Sequence, residues 1–161
     1  MDKIFQRLMD GDLTEVNGFT VDAGITVSEE LANEIVALII EDTPQVESCR
    51  VKIHAENRIA LDVKSSLWPW PLQVKLRLFR SVDVADSLRL RAFLENHLLL
   101  GKLGSLLKLL PDGIQFYEDQ VSIDLSAFAS SHEQSALLSW IKTAEISTEE
   151  GRLLVDVGIR K

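Results

Sequence analysis

Three histidines and one cysteine are the side chains best suited to acid–base, nucleophilic or metal chemistry, and they stand apart as His54, His97, His132 and Cys49. A metal site or a proton relay needs several such groups at matched spacing. His54 falls at an outward position of an alternating run, His97 at the start of a leucine-rich stretch and His132 in a capping turn, so each reads as a solvated or structural group. Ser130-Ser131-His132 sets a hydroxyl beside an imidazole. Adjacent residues in a cap do not converge on one point, as the members of a triad must. There is no P-loop, no G-x-G-x-x-G, no H-E-x-x-H and no G-x-S-x-G. The sequence asks for no enzyme, no metal and no cofactor. Cys49 excludes an internal disulfide framework and a cysteine metal cluster, and reads as a small semi-buried residue, with a reactive thiol as the alternative.

Charge offers a different chemistry. The net charge is −8, yet residues 50–91 hold nine Lys and Arg against four acids, a local +5 that leaves −13 for the remainder. Overall acidity argues against a general nucleic-acid binder. Arg50, Lys52, Lys64, Lys75, Arg77, Arg89 and Arg91 occupy the polar phase of alternating runs. Alternation would place them on one face of a contiguous sheet. Such a face is either simply solvated or meets an anion: a phosphate headgroup or an acidic partner.

The strongest apolar signal lies in residues 97–111, which contain eight leucines. On a helix these sweep an arc of roughly 200°, about twice the stripe that a surface helix needs. The cover could be protein, an apolar ligand or a membrane.

The elements that must position these residues follow from period and punctuation. Residues 2–9 place Ile4, Phe5, Leu8 and Met9 on one helical face, stopped at Gly11. Residues 19–27 alternate as a half-buried strand, and Thr26 or Ser28 caps a helix running to about residue 41. Leu31, Ile35, Leu38 and Ile39 form its main face, and Thr43-Pro44 ends it. Residues 51–55 and 59–63 make a hairpin. The segment 65–71, SSLWPWP, is an extended loop whose Trp68 and Trp70 plug the core end or touch a membrane interface. Residues 72–78 form a strand, a slip near 79–80 marks a bend, and residues 88–94 form the next strand. After the leucine helix come hairpins at 114–125 and 144–159, separated by a short helix carrying Ala136, Leu137 and Trp140.

The pattern predicts a single α+β domain over residues 1–161, with residues 1–11 as a peripheral helix. Its architecture would be a long coiled antiparallel sheet of sequential hairpins wrapping two long apolar helices. No run approaches the 18 apolar residues of a membrane span. The expected compartment is the cytoplasm, or the periplasm or envelope if a leader has been removed.

The order of strand, the SEELANEIVALI helix, alternating hairpins, leucine-rich helix, the LPDGIQF turn and the VSIDL strand resembles the small bacterial phospholipid-binding proteins of the LmeA-like family. These belong to the tubular lipid-binding superfamily. The resemblance implies a long helix wrapped by a coiled sheet, with an acyl-chain groove between them. The net acidity of this chain departs from what an anionic membrane attracts.

The functional expectation is a non-enzymatic module for a lipid or other long apolar ligand. Ile35, Leu38, Ile39, Leu99, Leu103, Leu106, Leu107 and Leu110 would line its groove, with Trp68 and Trp70 at the entrance. Arg50, Lys52, Lys75, Arg77, Arg89 and Arg91 would form the basic face, with peripheral membrane contact as one use of it. The alternative is an interaction or assembly protein, such as a homodimer, in which another chain covers the excess apolar surface.

Overall fold

Alternation of apolar and polar side chains dictates most of the structure. The computed structural model describes residues 20–41, 43–96, 112–128, 136 and 138–160. The elements are β1 (Thr20–Ser28), α1 (Glu29–Ile40), β2 (Val46–His54), β3 (Arg58–Ser65), β4 (Leu72–Leu78), β5 (Arg89–Leu94), β6 (Ile114–Tyr117), β7 (Gln120–Asp124), β8 (Ile141–Glu149) and β9 (Arg152–Arg160). A 3-10 turn, Leu125–Phe128, follows β7. In β4 the pattern is complete: Leu72, Val74, Leu76 and Leu78 are buried, while Gln73, Lys75 and Arg77 are exposed. One face of a pleated strand is thereby given to the core and the other to solvent.

The strands form two antiparallel sheets. Six strands run in the order β2-β3-β4-β5-β7-β6, and three in the order β1-β9-β8. The second sheet pairs the first described strand with the last, with Thr20 opposite Arg160 and Ser28 opposite Arg152. The two sheets are stitched together where the alternation slips. Ser81 bridges to Glu145 and Asp83 to Arg89. Val82 N–H donates to Ala144 C=O at 2.9 Å, and Ile146 N–H to Arg80 C=O at 2.7 Å. Leu72, Val74, Leu76, Leu78, Val82, Ala92, Leu94 and Val121 consequently share one core with Ala144 and Ile146.

The hairpin tips carry the second link. The turn between β2 and β3 has three residues, 55–57, of which Glu56 and Asn57 adopt positive φ, 61° and 59°, and so reverse the chain tightly. The Asn57 carboxamide accepts from Thr148 N–H at 3.0 Å and donates to Ile146 C=O at 3.2 Å. Thr148 Oγ1 donates to His54 C=O at 2.6 Å, and Gly151 N–H to Ile53 C=O at 2.8 Å. The β2–β3 tip is thus bonded to the β8–β9 tip.

The expected architecture is corrected on two points. There is no single coiled sheet wrapping two long helices: the described residues hold two antiparallel sheets and one α-helix. Strand pairing of the first segment with the last splits off the second sheet, which a run of sequential hairpins would not do. The leucine stretch, and with it Leu99, Leu103, Leu106, Leu107 and Leu110, lies outside the described residues, as do the segment 2–9 and most of the expected short helix before β8. The helix that is described begins as capping chemistry requires: Ser28 Oγ accepts from Leu31 N–H at 3.1 Å, so Ser28 rather than Thr26 is its N-cap.

Candidate functional site

Where α1 sits decides what it can bind. It lies along the outer edge of β2, and two side chains one helical turn apart make the attachment. The Asn33 carboxamide accepts from Val51 N–H at 2.7 Å and donates to Val51 C=O at 2.9 Å. Glu29 Oε2 accepts from Ile53 N–H at 2.9 Å. Four helical residues rise about 6.0 Å, close to the about 6.8 Å between alternate residues of an antiparallel strand. Positions i and i+4 on the helix therefore match positions j and j+2 on the strand. The two side chains stand in for a neighbouring strand and close an edge that would otherwise pair with another chain.

This attachment fixes which way the helix faces. At 100° per residue, Glu29, Asn33, Val36 and Ile40 share the side toward β2. Leu31, Ile35 and Leu38 fall on the opposite side and are 44%, 45% and 65% exposed. Ile35 and Leu38 therefore point away from the sheet and do not line a groove between helix and sheet. Glu30, Glu34 and Glu41 run along one flank of this stripe and are also exposed. No Lys or Arg occurs from residue 28 to residue 49.

More apolar surface lies near the end of the helix. Ser65 Oγ and Ser66 N–H both donate to Gln45 C=O, at 2.6 and 3.1 Å. These bonds hold the loop after β3 beside the turn after α1. That loop carries Leu67, 46% exposed, and Trp70, 58% exposed. Trp68 is half-buried and packs on the core, so the two tryptophans have different surroundings.

The outer face of the six-stranded sheet is the second candidate. Arg50, Lys52, Lys75, Arg77, Arg89 and Arg91 are all exposed there. Register sorts them. Lys52, Ala60 and Lys75 form one cross-strand row over β2, β3 and β4. The next row holds His54, Arg58, Arg77 and Phe93. Glu95 Oε1 takes both Arg58 at 3.4 Å and Arg77 at 3.3 Å. Lys64 pairs with Glu47 at 2.8 Å, which raises its pKa. The Arg91 guanidinium lies 5.1 Å from the Phe79 ring, which packs edge-on to Phe93 at 4.5 Å between centroids. Arg50, Lys52, Lys75 and Arg89 make no ion pair with any described residue.

An open depression of about 640 Å³ lies over this row, with Lys52, Arg58, Ala60, Lys75 and Glu95 among its walls. Ala60 is 6% exposed although it belongs to the outer face, so it forms the floor between the two lysines. His54 Nδ1 meets Glu150 Oε1 at 3.2 Å on the rim. His97 and His132 lie outside the described residues. Among the described residues no group of three or more His, Cys, Asp or Glu could hold a metal ion. No described helix is long and apolar enough to cross a membrane.

Sequence reasoning found the cations but missed Asn33, Glu29, Ala60 and Glu95. The signal for the first two was available: two hydrogen-bonding side chains at i and i+4 on the half-buried side of a helix. Ala60 and Glu95 carry no local signal, because their roles arise only from cross-strand register. No family model, no curated protein and no solved structure matches this chain.

Proposed function

We propose that this protein is a non-enzymatic interaction module whose recognition element is the outward stripe of α1. The partner is a helical segment of another protein with an apolar stripe flanked by Lys or Arg. The observation that carries this is the exposure of Leu31, Ile35 and Leu38 on a helix whose other side is bonded to β2. Spacing of i, i+4 and i+7 is how helices anchor in one another's grooves. Full burial of a leucine or isoleucine is worth roughly 1.5–3 kcal/mol, and these three, about half exposed, would contribute about half of that each when covered.

Charge selects the partner. In an antiparallel self-pair, the acidic row Glu30–Glu34–Glu41 would meet its own copy, and like charges across a helix seam are unfavourable. A basic flank removes that repulsion and speeds encounter. The test uses two synthetic amphipathic helices with the same apolar stripe, one flanked by lysines and one by glutamates. The lysine peptide is expected to bind, to weaken with salt, and to lose about tenfold or more in affinity with Ile35→Asp. Failure of both peptides to bind, or a micromolar dimer in sedimentation that Ile35→Asp abolishes, would overturn the basic-partner reading.

A second reading, a lipid or other long apolar ligand, is favoured by Leu67 and Trp70, whose loop is held beside the turn that ends α1. Aromatic and leucine side chains exposed together suit an acyl surface. A lipid that co-purifies in native mass spectrometry and is lost with Trp70→Ser would support it.

A further inference from the structure

We infer that the outer face of the six-stranded sheet holds a binding site for a phosphate monoester, centred on Lys52 and Lys75 above Ala60. This site is separate from the stripe on α1 and rests on different observations. Lys52 and Lys75 flank Ala60 in one cross-strand row. Their Cα atoms are therefore about 10 Å apart, twice the spacing of neighbouring strands. Between them stands a methyl group rather than a longer side chain, which leaves the depression of about 640 Å³ open above it.

The surrounding carboxylates each have a hydrogen-bond or ion-pair partner other than these two lysines. Glu95 is held by Arg58 and Arg77. Glu56 lies 3.7 Å from Arg58, and Glu150 lies 3.2 Å from His54. Asp62 accepts from Gln73 Nε2 at 3.0 Å. What remains is two ammonium groups with no carboxylate of their own, on flexible four-carbon stems, facing one hollow.

Two point charges with three donors each fit a tetrahedral group that carries nearly two negative charges. A phosphate monoester has about −1.5 to −2 at pH 7 and three acceptor oxygens. A carboxylate offers half that charge. The shared chemistry is the phosphate, whether on a soluble metabolite or on a lipid headgroup.

The experiment titrates the intact protein, labelled with 13C in lysine, with glycerol phosphate at constant ionic strength. The Cε signals of Lys52 and Lys75 are expected to move together on one saturating curve, while Lys64, paired with Glu47, stays still. Lys52→Gln and Lys75→Gln should each weaken binding about tenfold, as loss of a charged hydrogen bond does. Equal movement of all lysines, or affinity unchanged in both variants, would overturn the site. Co-sedimentation with phosphatidic acid vesicles that glycerol phosphate displaces would assign a headgroup. Glycerol phosphate binding without co-sedimentation would assign a soluble phosphomonoester.

Discussion

Cys49 shows how a single side chain takes its chemistry from its place in a sheet. It sits half-buried on β2 opposite Val63. Burial pushes its thiol pKa up to about 11, and the nearby Asp62 carboxylate adds to the rise. The thiolate is the reactive form. At pH 8 its share is roughly a hundredfold smaller than for a thiol of pKa 9, so iodoacetamide should label native protein far more slowly than unfolded protein. The sign for stability follows from proton binding. In the unfolded chain the thiol ionises from about pH 9, while the folded chain keeps its proton up to about 11. The native state therefore binds more protons in that window, and stability should fall as pH rises through it. Cys49→Ala should remove that part of the decline in urea titrations at pH 8 and pH 10.5. Asn57 gives a second contrast at this scale. It holds a positive φ of 59° and bonds Thr148 and Ile146 through its carboxamide. Asn57→Gly keeps the turn and loses the bonds; Asn57→Ala loses both. The alanine variant should be the less stable by about 1 kcal/mol in thermal or urea unfolding.

The helix and the strand beside it form one unit. Asn33 and Glu29 satisfy three backbone groups on the open edge of β2. Asn33→Ala should cost about 1–3 kcal/mol, because Val51 N–H and C=O lose their partner in a half-buried place. It should also raise the rate of aggregation in light scattering, since a bare edge recruits other strands. This unit explains what the sequence could and could not say. The hairpins and the strand Leu72–Leu78 were legible because one sheet face is buried and the period of two is strict. The orientation of α1 was not. Leu31, Ile35 and Leu38 form the stronger apolar face and so read as the buried one, yet the edge of β2 takes the side that carries hydrogen-bonding groups. The basic face was legible as a set of outward cations. Which of them stay unpaired was not, because Glu95 reaches Arg58 and Arg77 only after three strands align.

At the scale of the molecule, the division into two sheets was equally illegible from local pattern. β1 and β9 pair residues separated by most of the chain, and no local period encodes such a partner. The segment 80–83 then ties the small sheet to the large one, so a single core should give a single cooperative transition. Leu94, 1% exposed at the centre of that core, is the place to test this. Leu94→Ala should cost about 2–5 kcal/mol and lower the midpoint equally for probes in either sheet. Separate transitions for the two sheets would show that the link through Val82 and Ala144 does not couple them.

The clasp between α1 and β2 also supplies a built-in clock. The amide protons of Val51 and Ile53 are held by side chains of the helix and not by another strand. Their exchange with deuterium is therefore timed by the helix lifting away, while amides inside the strand ladders wait for the sheet to open. A partner that grips the outward face of α1 and pulls would quicken those two amides. One that presses the helix home would slow them, leaving the rest of the sheet unchanged.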